Sequence, residues 1–311
     1  MSATLVLLFL IGMAAIVWSA CFVGCNLTHA GPPPPVTRFD QYQNTVLTTP
    51  GLVAFWPLND TDRSSMVAAD LGPNHFNGTY TLGPIVTAFD ATLQSDISPG
   101  GYTLGEGNIV AGDGVSTGGG PAVPNRCVYF NGGYVSVPYH PELGPPMPGN
   151  FTLEAWVVPN WSDADTHHSQ RAVVVSADVA SSAGFALVAT PENLWSFQIG
   201  IGSGYPAATI GNNQTIVQGS LYFLVVTYDG TTLNLWVNPA DTTQPPDASI
   251  AASGYVPVPS PVLFYIGQGR PDLPLPRFPF NGRIQDVAFY NVVLDNQTIE
   301  THYMNGLGMQ M

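Results

Sequence analysis

Along most of this 311-residue chain, short runs rich in Val, Ile, Phe, Tyr and Trp alternate apolar with polar positions and end at Gly, Pro, Asn or Asp. That is the pattern of strands joined by tight turns. It predicts strands near 52–58, 127–137, 151–158, 172–177, 184–189, 195–201, 221–228, 232–237, 262–267 and 283–290. Asp229-Gly230, set between two apolar runs, predicts a hairpin. The expected fold is all-β, a two-sheet antiparallel sandwich over residues 51–305.

Alternate residues of a strand share a face. One face carries Phe151, Leu153, Ala155 and Val157, with Leu233, Leu235 and Val237, and is wholly apolar, so it belongs to the core between the sheets. The other groups Thr152, Glu154 and Trp156; Thr232, Asn234 and Trp236; and Asp286 with Tyr290. Aromatic rings flanked by hydrogen-bonding groups suit a pyranose, whose C–H face packs on a ring while its hydroxyls find partners. Trp236, Asn234, Trp156 and Tyr290 are therefore the candidate ligand platform, with Trp236, just before the Pro239 turn, expected to be exposed.

The N-terminus departs from this pattern. Leu5 to Cys25 is an uncharged, largely apolar run of 21 residues, long enough to cross a bilayer as a helix. Residues 1–25 read equally as a cleaved signal peptide or as a hydrophobic membrane anchor, and either places the globular part outside the cytosol. Residues 26–50 read as a Pro-rich linker, with Gly31-Pro32-Pro33-Pro34-Pro35 as a polyproline II spacer, and residues 51–311 as the domain. Asp96 to Pro124, rich in Gly, reads as a long surface loop.

Seven Arg and no Lys face 21 acidic residues, a net charge of −14, and the arginines are spread along the chain. A nucleic-acid partner, which needs clustered cations, is excluded on this ground. Asn-x-Ser/Thr occurs at Asn26, Asn59, Asn77, Asn150, Asn160, Asn213 and Asn296, more often than chance allows, which favours an exported glycoprotein. Cys127 is the one cysteine outside the leader and reads as a buried, inert thiol. Asp163, Asp165, His167 and His168 combine carboxylate and imidazole, but such a loop cluster reads first as solvated polar residues.

Four motifs, in order, resemble the laminin-G-like jelly rolls of the concanavalin A-like lectin/glucanase superfamily: FNGGYVSVP (130–138), FTLEAWVVP (151–159), LVVTYDGTTLNLWV (224–237) and FNGRIQDVAFYNVVL (280–294). GLVAFWPL (51–58) and DLGPNHFNGTY (70–80) are similar to the family's opening strand and the loop after it. The chain departs from the family at Leu221-Tyr222-Phe223, where a Trp is usual, at Trp236-Val237-Asn238-Pro239 in place of Y-V-D-G, and at Gln285 in place of Asp. The resemblance implies a jelly roll in which Trp156 is buried and Glu154 is structural. It also implies one calcium ion between an early loop and the last strand, with Asp70, Gly72, Gln285 and Asp286 as the matching positions. The paired acids E-x-D-x-x-E of the family's glucanases are missing: none of Glu106, Glu142, Glu154, Glu192 and Glu300 has an acidic residue two positions away.

These readings lead to a non-catalytic extracellular recognition or adhesion module, secreted or membrane-anchored, that binds a glycan or glycoprotein partner. The membrane contact would be through the N-terminal segment if it is uncleaved. The alternatives are a structural surface or coat protein, for example of a virus, and, third, a carbohydrate-active enzyme.

Overall fold

The computed structural model describes residues 38–60, 62, 64–82, 101–107, 126–145, 149–161, 170–211, 214–269 and 278–309. In chain order these form α1 (Arg38–Thr48), then β1 (Leu52–Trp56), β2 (Val67–Ala68), β3 (Gly78–Thr81), β4 (Gly101–Gly107), β5 (Arg126–Asn131), β6 (Tyr134–Val137), β7 (Phe151–Pro159) and β8 (Arg171–Asp178). There follow β9 (Ala183–Ala189), β10 (Trp195–Ile199), β11 (Ala207–Thr209), β12 (Tyr222–Tyr228), β13 (Thr232–Val237), β14 (Ala248–Ala251), β15 (Phe264–Ile266), β16 (Asn281–Tyr290) and α2 (Asn296–Gly306).

The strands build two antiparallel sheets. Sheet A has the order β14-β13-β12-β7-β16-β5-β4, with β1 also paired to β16; sheet B has the order β11-β10-β9-β8-β15-β6-β3-β2. β16 pairs with β7 along one edge and is long enough to serve two partners along the other: Asn281 to Ile284 pair with β5, and Val287 to Tyr290 pair with β1. Residues from one face of each sheet meet in one core, among them Phe151, Leu153, Val157, Leu233, Ile284 and Phe289 from sheet A and Val135, Phe185, Leu187, Phe197, Phe264 and Ile266 from sheet B. Phe151 touches the rings of Phe185, Phe197, Tyr228, Tyr255 and Phe289 and so ties both sheets together. The apolar face read from the sequence is this core.

Every strand expected from the pattern is present. The run 127–137 divides at Gly132, whose φ of +87° turns the chain from sheet A into sheet B. Five strands were not expected: β2, β3, β4, β11 and β14, all short or rich in Gly, Ala and Thr, and β4 lies inside the stretch read as a surface loop. A larger correction concerns residues 38–48. Placed in the linker from sequence, they form α1, whose Tyr42 and Val46 are fully buried against sheet A. The apolar leader, the polyproline segment, the Asp163–His168 cluster, Asn26 and Asn213 lie outside the described residues.

Candidate functional site

The face proposed as a ligand platform is the outer face of sheet A, and half of it is roofed. α1 and α2 lie across it, giving a second apolar cluster of Tyr42, Val46, Phe55, Cys127, Trp156, Phe223, Val225, Trp236, Ala288, Tyr290, Leu294 and Ile299. Trp156 is fully buried, packed against Phe223 at 4.5 Å and Tyr303 at 5.8 Å, with Tyr42 edge-on at 6.0 Å. Gly306 sits directly on the indole, where a Cβ would overlap the ring, so α2 lies this close because the residue has none. Trp236 is 5% exposed and Tyr290 is buried, which corrects the expectation of an open platform. Asn234 is half-buried in a cross-strand row, accepting from Ser249 Oγ at 2.7 Å.

Polar groups on the roofed half are matched by the helices. Glu154 Oε1 accepts from Tyr290 Oη at 2.9 Å and from Tyr42 Oη at 3.5 Å, while Oε2 meets His302 Nδ1 at 2.9 Å. Glu154 and His302 are both fully buried. His302 Nε2 lies 2.9 Å from Thr49 Oγ1, whose hydroxyl donates to Thr45 O at 2.8 Å. The imidazole is thus held at both ring nitrogens, by the Glu154 carboxyl at Nδ1 and by the Thr49 hydroxyl at Nε2. Burial first, and then the Glu154 charge, hold the phenols of Tyr42 and Tyr290 well above their ordinary pKa. Thr152 donates to Val292 O at 2.8 Å and accepts from Leu294 N at 3.0 Å, seating the link from β16 to α2. Glu154, His302 and Thr49 thus form a chain of acid, imidazole and hydroxyl, but under the helices it acts as a clamp.

The four positions expected around calcium do not form a cation cage. Both oxygens of Asp70 are taken by backbone donors: Oδ1 by Phe55 N and Gly72 N at 2.7 Å each, Oδ2 by Phe76 N at 2.6 Å. Phe55 turns its N–H and C=O toward Asp70 and Leu71, and therefore away from β16, so Asp70 and Gly72 cap the far edge of β1. Gln285 and Asp286 sit on the other side of β1, in a β-bulge where Asp286 has φ +54° and donates its N–H to Pro57 O. Among the described residues no group of three His, Cys, Asp or Glu side chains could hold a metal ion. A calcium ion needs six to eight oxygens, and this donor set does not fit one. The bulge also slips the alternation by one residue, so Asn281, Arg283 and Gln285 share the outer face with Ala288 and Tyr290.

Among the described residues the other half of the same face is uncovered. On it Gln218 Nε2 donates to Asn160 Oδ1 at 3.2 Å, Asn160 Nδ2 to Tyr129 Oη at 2.7 Å, and Tyr129 Oη to Asn281 Oδ1 at 2.7 Å. Arg283 stands directly between Tyr129 on β5 and Val158 on β7. Gln218 and Asn160 are exposed; Tyr129, Asn281, Arg283 and Val158 are half-buried. Gly282, at φ +142°, lets β16 approach β7 here, since a Cβ would overlap the Val158 carbonyl oxygen. The result is a polar ledge built of three amides, a phenol and a guanidinium.

Residues 130–300, more than half of the chain, match the family model Laminin_G_3 of the concanavalin A-like lectin/glucanases superfamily. The chain belongs to this superfamily. No curated protein matches the sequence. Solved structures share the superfamily's fold at low identity. One is domain 4 of AbnA, a GH43 extracellular arabinanase from Geobacillus stearothermophilus in complex with arabinotriose (15% identity, TM-score 0.50, covering 81% of this chain and 98% of that one). Another is Trypanosoma rangeli sialidase in complex with a difluorinated KDN (17%, 0.50, 86% and 38%). A botulinum neurotoxin type C structure, described by cell entry through two ganglioside molecules, is similar at 11% and TM-score 0.48, and this chain covers 82% of itself but about half, 51%, of that chain.

In this laminin-G-like chain Asn77, Asn150, Asn160 and Asn296 are exposed and Asn59 is half-buried. Asn160 differs from the others in having its side chain inside the ledge, bonded at both ends. Tyr129, Asn281, Arg283 and Gln218 were not picked out from the sequence. Carrying the alternation back from Trp156 through Val158 and Asn160, and along Asn281 and Arg283, would have placed them on one face.

Proposed function

We propose that the chain is an exported, non-catalytic recognition module that binds a glycan or glycoprotein through the open half of the outer face of sheet A. The observation that carries this reading is the ledge of Gln218, Asn160, Tyr129, Asn281 and Arg283, where hydrogen-bonding groups are pre-positioned by one another and face outward. Pre-ordered donors lower the entropy lost on binding. Glu154, the glutamate in mid-strand, supports the non-catalytic part: its carboxylate is buried and bonded to His302 and Tyr290, whereas a glycosidase needs two carboxylates flanking the scissile bond. Export rests on the 21-residue apolar run and the seven sequons. The test is a glycan array probed with the full chain and with Tyr129→Ala. Binding that is lost in the variant, with an unchanged melting temperature, is the expected result; an array without any bound glycan overturns the reading.

A further inference from the structure

We propose that the ledge takes a sugar residue bearing a single carboxylate, with Arg283 as the group that reads its charge. This rests on the glycan-recognition reading above. The three hydrogen bonds of the ledge all run in one direction, from Gln218 to Asn160 to Tyr129 to Asn281. At its far end the chain leaves the Gln218 carbonyl in solvent, and at the end beside Arg283 it presents the amide Nδ2 of Asn281, a donor, because Asn281 Oδ1 is taken by Tyr129. Two residues along the same face stands Arg283, which has no hydrogen-bond or ion-pair partner among the described residues. The site therefore offers donors and asks for acceptors. A guanidinium fork matches a carboxylate through two parallel bonds, and Asn281 lies roughly 7 Å away along the strand, a distance one sugar ring spans. Val158 and the Tyr129 ring flank Arg283 on either side and give apolar surface to the C–H face of that ring.

Charge decides between a singly charged sugar and a polyanion. The protein carries a net charge of −14, and the ledge holds one guanidinium, so a sulfated polymer meets repulsion with a single compensating cation. One carboxylate against one Arg balances locally.

The experiment uses the full chain and ligand-observed NMR with methyl β-D-glucuronide and α-methyl N-acetylneuraminide, which separate a uronic from a sialic acid source. The carboxyl-reduced alcohol of each, arabinotriose as a neutral oligomer and heparin as a polyanion complete the set. Binding of one carboxylated probe, weakened about tenfold or more both by reduction and by Arg283→Gln, is expected from loss of a charge-assisted pair. Arg283→Gln should leave the melting temperature unchanged, since no partner is lost. Equal binding of acid and alcohol overturns the inference and leaves the glycan reading standing, whereas an array and an NMR panel both without binding overturn the two together. Binding of heparin alone overturns it, and so does a mature protein carrying an N-glycan on Asn160, which would cover the ledge.

Discussion

His302→Leu removes the imidazole bonded to Glu154 and leaves the carboxylate under α1 and α2 with two phenols. Stranding a buried carboxylate by removing its partner costs about 3–5 kcal/mol, a large share of the roughly 5–15 kcal/mol that holds a domain folded. Glu154→Leu should cost about as much, because it strands the imidazole and leaves the Tyr290 hydroxyl, 2.9 Å from Oε1, without its acceptor. If the two act as a pair, the double variant loses far less than the two single losses combined. The second substitution removes the group that the first stranded, so the double variant should sit within about 1–2 kcal/mol of either single one. Bond lengths within the cluster give an internal control. Tyr290→Phe should cost about 1 kcal/mol, but Tyr42→Phe close to nothing, because the Tyr42 bond, at 3.5 Å, is at the limit of a hydrogen bond.

Urea unfolding followed by tryptophan fluorescence measures all five proteins. Trp156, stacked on Tyr303 of α2, also reports directly on whether the helix has lifted. Strict additivity of the two leucine variants within about 0.5 kcal/mol would mean that Glu154 and His302 are not coupled. A His302→Leu cost below about 1 kcal/mol would mean that the helix is not clamped at this point.

Three further outcomes follow from the same contacts. Trp236→Ala should lower stability by about 3–5 kcal/mol in a thermal or urea melt, as for a buried ring, where an exposed platform residue would change it by about 0.5 kcal/mol or less. Asp70→Ala should destabilise by about 2 kcal/mol or more, since three backbone N–H groups lose their acceptor, while calcium or a chelator should leave the melting temperature of the parent unchanged. Burial raises the phenols of Tyr42, Tyr290 and Tyr255 in the fold, so above the unfolded value near 10 the native state keeps protons that the unfolded state releases. Stability, complete below that pH, should then fall as pH rises, at up to about 4 kcal/mol per unit for the three together, read from urea midpoints at increasing pH.

The strands were legible because an alternation of two needs only near neighbours in sequence. Leu153 and Val157 show their side of the sheet without reference to any distant residue. What covers the opposite side was not legible, since Glu154 finds its partner 148 residues away at His302. The helices did leave traces. Phe39, Tyr42 and Val46 recur at helical spacing just after the proline run, and Asp295 caps the Thr298 N–H at the start of α2. Both were overlooked because the segments are short and flank sheet motifs. The β-bulge could not be counted from sequence either: it brings the odd-numbered Asn281, Arg283 and Gln285 onto the same face as the even-numbered Ala288 and Tyr290.

A mixed face of aromatic and polar residues has two physical uses, and the sequence alone does not separate them. Burying a hydroxyl or a carboxylate without a partner is costly, so a helix docked on such a face must bring acceptors and donors that match it. On the roofed half it does: Thr152 meets Val292 and Leu294, and Glu154 meets His302. On the open half the pattern of side chains is similar, yet the polar groups bond sideways to one another and end at Asn281, beside Arg283, with none of the described helices laid over them. Where the protein satisfies the face itself, the aromatic and polar rows belong to the fold. Where matched donors are left facing outward, the missing acceptor has to come from a ligand or from water, and an ordered row of donors selects for the ligand that supplies acceptors at the same spacing.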